Sequence, residues 1–151
     1  MPGCVFRASG VNFDVDAFWA ASPWQEYTDD VYHRGAPTNH PIKQLFDKSG
    51  FYFGISDYDE DRLDQQIQDC ITFLTEDRAE IKRLAAFPGV DDIALNIGLF
   101  WWADTLCQTH ELPPELLRLA GELGVAVALA IYGTDRDRPT DQESEARKER
   151  E

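Results

Sequence analysis

Apolar residues along this chain recur in two rhythms, steps of two and steps of three or four, and the order of those rhythms predicts an α+β domain. Residues 4–9 read as a short strand. Asp14 is placed to cap a brief helix through Phe18 and Trp19 that must stop before Pro23. Residues 26–34 read as a second strand with Tyr27 and Tyr32 as its pairing side chains, and the run Gly35, Ala36, Pro37, Thr38, Asn39, His40, Pro41 then breaks regular structure. Phe51, Tyr52, Phe53 and Ile55 suit a pleated, half-buried strand. After it, Leu63, Ile67, Cys70, Ile71, Leu74, Ile81 and Leu84 recur at helical spacing. They predict one helix of about six turns, ended by Pro88 and Gly89.

Ile93, Leu95, Ile97 and Leu99 alternate with Ala94, Asn96 and Gly98, a strand pattern that runs into Phe100, Trp101 and Trp102. In the next unit Leu112 is a staple, Pro113 and Pro114 suit the unpaired first turn of a helix, and Gly124 supplies its left-handed stop. Residues 125–132 form the last strand. Val125, Val127, Leu129 and Ile131 line one face and Ala126, Ala128 and Ala130 the other, the composition of a central strand. The predicted order is β-α-β-β-α-β-α-β: a single sheet of about five strands, with helices mainly on one face, and a ferredoxin-like core carrying an added helix and strand. Residues 1–133 make this one domain. Residues 134–151 are almost wholly polar or charged and read as a flexible tail.

The chain has 151 residues, enough for one substantial core. Its 28 acidic and 14 basic side chains leave a net charge of −14, a field that repels phosphate backbones and anionic lipid. Nucleic acid and membrane are therefore excluded as expected partners; the acidity is read first as serving solubility, and it would also speed encounter with a basic protein. No window reaches the apolar length of a membrane span, and Cys4, Cys70 and Cys107 show no disulfide rhythm, so a cytoplasmic protein is expected.

Candidate chemistry is sparse. Asp57, Asp59, Glu60 and Asp61 evoke a calcium loop, but Arg62 stands where that loop needs Gly and Gln68 where it needs Glu, so the acids are read as helix-entrance charges. His33, His40 and His110 have no zinc-ligand spacing, and neither metal nor cofactor is expected. Cys107 and His110 are the only Cys and His close in sequence, a spacing that alone proves little. Adjacent Trp101 and Trp102 must point to opposite faces of a strand, which leaves one of them to cover something outside the core. With His110, and with His33 and Arg34 beside the 35–41 loop, they are the candidate binding residues.

The segment 31–37 (Val-Tyr-His-Arg-Gly-Ala-Pro), the aromatic strand 50–56, and the terminal unit from Leu112, Pro113 and Pro114 through Gly124 to Ile131 and Tyr132 together resemble a bacterial family of uncharacterised proteins, domain of unknown function 4279. The resemblance spans about residues 4–133 and implies a single small α+β domain, with no catalytic or ligand-binding residue carried over. The expected function is a non-enzymatic protein-interaction or binding domain, immunity-like in its acidity, with a basic protein or a second copy as partner. The alternative is a small hydrolase or ligand-binding enzyme built on Asp29, Asp30 and His33.

Overall fold

The computed structural model describes residues 3–27, 30–39, 44–59, 61–140, 143, 145–146 and 149. Five strands, β1 (Cys4–Gly10), β2 (Val31–Tyr32), β3 (Ser49–Ser56), β4 (Asp92–Trp101) and β5 (Ala126–Gly133), form one sheet in the order β2-β3-β1-β4-β5. Its helices are α1 (Val15–Ala20), α2 (Leu63–Glu76), α3 (Arg78–Ala86) and α4 (Pro114–Glu122). Neighbours β2/β3, β3/β1 and β1/β4 are antiparallel, and β4/β5 are parallel. The first four strands thus have ferredoxin-like order and direction, with α4 and β5 added at the β4 edge.

Strand register explains which face is the core. Phe6 pairs with Phe53 on one side and Leu95 on the other, and Cys4 pairs with Ile97, so these side chains lie on a single face. Against that face pack Ile67, Cys70, Phe73 and Leu74 of α2, Ile81 and Leu84 of α3, and Leu116 and Leu119 of α4. Phe6 is the hub, with ring centroids 4.9 Å from Phe73, 5.4 Å from Trp24 and 5.6 Å from Phe53. The opposite face is polar where Arg7 pairs with Asp92 and donates to Asn96 Oδ1 at 3.2 Å.

Several local expectations hold. Asp14 Oδ1 accepts the Ala17 N–H at 3.0 Å and caps α1, and Leu112 packs against the core beside α4. Gly124 has φ +69°, the left-handed stop after α4.

Others are corrected. The long helix is two, because Asp77 turns to ψ 14° between α2 and α3 while its side chain accepts the Trp24 indole N–H at 2.8 Å. Of the expected strand over 26–34, Val31–Tyr32 is strand, while Thr28 and Asp29 lie outside the described residues. Pro23–Glu26 instead forms a 3-10 turn, opened by Ser22 Oγ accepting the Trp24 N–H, because burying Trp24 in the aromatic core takes this stretch away from the sheet. The acidic run does not cap α2 as expected: Arg62 is its cap residue and makes no side-chain cap bond. Finally β5, read as central, lies at the edge of the sheet. Of the tail, Thr134 N–H donates to Trp101 O and Ala103 N–H to Arg136 O, both at 3.1 Å, which ties residues 134–136 to the end of β4.

Candidate functional site

The five candidate binding residues divide between opposite ends of the sheet. His33 and Arg34 follow β2, beside the start of β3, whereas Trp101 ends β4 and Trp102 and His110 follow it. Ser49 at the start of β3 pairs with Gly10, whose neighbour Ser9 pairs with Asp92, so the ten residues of β4 separate the two groups by about 30 Å. They cannot serve one site.

At the β2 end, His33 Nε2 lies 2.9 Å from an Asp16 carboxylate oxygen, and both side chains are largely exposed. The Arg34 guanidinium donates to Val11 O at 3.4 Å and its N–H to Ser49 Oγ at 2.9 Å. Asp30 is held by the Tyr52 hydroxyl, and Asp29 lies outside the described residues, as does His40. An exposed His–carboxylate pair in water gains little from its charges and has no dry pocket in which to move a proton.

At the other end the two tryptophans part as strand geometry requires. Trp102 is buried, its ring 5.3 Å from Phe100 on the same side of the strand, and Trp101 remains 39% exposed. Gln108 locks the loop by accepting the Trp102 N–H and donating to Phe100 O, each at 2.8 Å, and its Nε2 lies 3.2 Å from His110 Nε2. A cavity of about 770 Å³ lies between Phe100 and Trp102 on one side and Arg136, Arg138 and Glu143 of the tail on the other. Its charges are mixed.

A strongly one-signed arrangement was missed by sequence reasoning. An open groove of about 430 Å³ runs between β3 and α2, lined by Asp57, Asp69, Glu76 and Asp77, with Tyr27 as its aromatic wall and no Lys or Arg among the described lining residues. Tyr27 stacks on Phe53 with centroids 4.4 Å apart and is 38% exposed. Its hydroxyl is pushed above the ordinary tyrosine range by burial first and then by Asp77, Glu26 and Glu76. Two of the carboxylates are fixed: Asp69 accepts the Ser56 hydroxyl at 2.6 Å and Asp77 the Trp24 indole. A signal was present, since Asp69, Thr72, Phe73 and Glu76 recur at i, i+3, i+4 and i+7 on α2, a stripe beside the apolar one. Asp77 follows Glu76 directly as the C-cap residue of α2, whereas Asp57 and Tyr27 come from two other segments that only folding could add.

Cys4 and Cys70 are buried with sulfur atoms 3.1 Å apart, and the Cys4 thiol is pushed far up by its hydrogen bond with Cys70 and then by burial. A thiol held protonated in this way is a packing group and a poor nucleophile. Cys107 is exposed, and all three are free. Among the described residues no three His, Cys, Asp or Glu side chains are grouped to hold a metal ion, and no helix is long and apolar enough to cross a membrane. Comparison with family models, with curated proteins and with solved structures finds no match to this chain.

Proposed function

We propose that this protein is a non-enzymatic interaction domain that receives a cationic segment of a basic protein partner in the groove between β3 and α2. The resemblance to domain of unknown function 4279 carries no activity over, so the reading rests on the chain's own residues. The observation that carries it is the convergence of four carboxylates, Asp69, Glu76 and Asp77 from the α2 stretch and Asp57 from the end of β3, beside one exposed tyrosine ring, with no Lys or Arg among the described lining residues. A lysine or arginine entering there meets opposite charge on two sides and a π face on a third. The chain's net charge of −14 adds long-range steering toward such a partner. Sequestering or neutralising a basic protein, as immunity-type proteins do, is the role that fits, and three free cysteines fit a reducing cytoplasm.

The test uses the full chain and a lysine-rich peptide as probe, with affinity read by calorimetry at two salt concentrations. Asp57→Asn with Glu76→Gln removes two groove charges. We expect affinity to fall about tenfold, equal to roughly 1.4 kcal/mol, and its salt dependence to flatten. Glu111→Gln with Glu145→Gln removes the same charge from exposed positions outside the groove lining. If that control weakens binding equally, the peptide is reading net charge and the groove is not the site.

A further inference from the structure

β5 has the sequence of a strand with neighbours on both sides and the position of a strand with one. Its eight residues, Ala-Val-Ala-Leu-Ala-Ile-Tyr-Gly, contain no charge and no proline. Its ladder with β4 runs from Ala94/Ala126 to Trp101/Gly133 without a bulge, and among the described residues no strand pairs with its other edge. Edges of that length normally carry lysine, proline or a bulge to block unwanted pairing. Here the reverse is found: Leu129 is 43% exposed, Ile131 59% and Tyr132 41%. On the other side of the sheet β2 pairs only with Gly50 and Phe51 of β3, so among the described residues β5 is the edge strand that is open along its full length.

From this we infer that β5 pairs antiparallel with β5 of a second copy, joining two sheets into one across a two-fold axis perpendicular to them. This goes beyond the proposed binding groove, which lies at the far side of the sheet between β3 and α2. A second copy is the occupant the chemistry selects, because the strip is neutral and apolar in a chain otherwise strongly acidic. A basic partner gains nothing from a strand without charge, whereas a second copy brings the same neutral strip. With the axis through Ala130, Leu129 lies opposite Ile131 of the partner subunit, so the two exposed aliphatic side chains meet on the helix side of the joined sheet. On the other face Ala128 and Ala130 are small enough for close approach. An eight-residue strand is about 27 Å long, and pairing along it buries on the order of 600 Å² per copy, the low end of specific interfaces. A reversible, concentration-dependent dimer is therefore expected.

Sedimentation velocity of the full chain across a concentration series tests this. The mass should rise from 17.2 kDa toward twice that value, and added salt should strengthen association because it screens repulsion between two acidic copies. That salt response is opposite in sign to the response expected for a cationic partner in the groove. Ile131→Lys and, separately, Leu129→Lys place a charge on the seam at already exposed positions and should each weaken the dimer at least tenfold, with circular dichroism unchanged. A chain that stays at 17.2 kDa at every concentration in high salt, or a dimer that neither variant weakens, overturns the inference.

Discussion

Trp24→Phe tests the contact that joins the aromatic core to the junction of α2 and α3. The indole is 1% exposed and its Nε1 donates to Asp77 Oδ1 at 2.8 Å, at the residue where the long helical stretch divides. Phenylalanine keeps the rings of Phe6 and Phe53 in contact, each now 5.4 Å from Trp24, but removes the donor and part of the ring volume. A hydrogen bond to a charged acceptor contributes about 1.5–3 kcal/mol, and the smaller ring leaves a void that costs roughly 1 kcal/mol more. The sum, about 3 kcal/mol, corresponds in a domain of this size to a fall in Tm of roughly 6–12 °C. Thermal unfolding followed by circular dichroism supplies the number, and Asp77→Ala alone and combined with Trp24→Phe completes a double-mutant cycle. The reasoning requires a coupling of about 1.5 kcal/mol or more between the two sites. Additive effects within about 0.5 kcal/mol would refute it, because the indole and the carboxylate would then stabilise the fold independently.

Two further outcomes are expected. Gly89 has φ +86° and a Cβ there would stand 2.1 Å from the Asn12 carbonyl oxygen, whereas Gly124 has φ +69° with open space around it. Gly124→Ala should therefore cost only the left-handed backbone term of about 1–2 kcal/mol, and Gly89→Ala distinctly more; equal urea midpoints for the two variants would contradict the close approach. In the native protein a thiol-alkylating reagent should add once per chain, at exposed Cys107, and reach buried Cys4 and Cys70 only in denaturant. Intact-mass measurement showing three native adducts at similar rates would show that the Cys4–Cys70 contact does not persist in solution.

Much of the architecture was legible from residue order because it depends on local periodicity. Alternation in residues 93–99, helical spacing from Leu63 to Leu84, the Asp14 cap and the Gly124 stop all act within one element, and the structure has each of them, the spacing divided at Asp77. The candidate residues were less legible. Trp101 and Trp102 were correctly expected to face apart, since that follows from strand geometry alone. His33 was read with Asp29 and Asp30 nearby in sequence, but its observed carboxylate is Asp16, brought from α1 by the fold.

By itself, then, the sequence determined most of the helical and extended stretches, though not the 26–34 region or the break at Asp77, and that the whole is an acidic α+β domain, because backbone geometry and apolar spacing act over a few residues. Tertiary structure alone decided three things. It placed Trp24 against Asp77, the position where the apolar stripe skips from Leu74 to Ile81, and the helix divides there. It gathered Asp57, Asp69, Glu76, Asp77 and Tyr27 into one groove, although no two of those segments are marked for each other by any local pattern. It also set β5 at an edge, because strand order depends on crossovers between distant segments, and a strand's own residues record how apolar its neighbours must be without recording whether they come from the same chain.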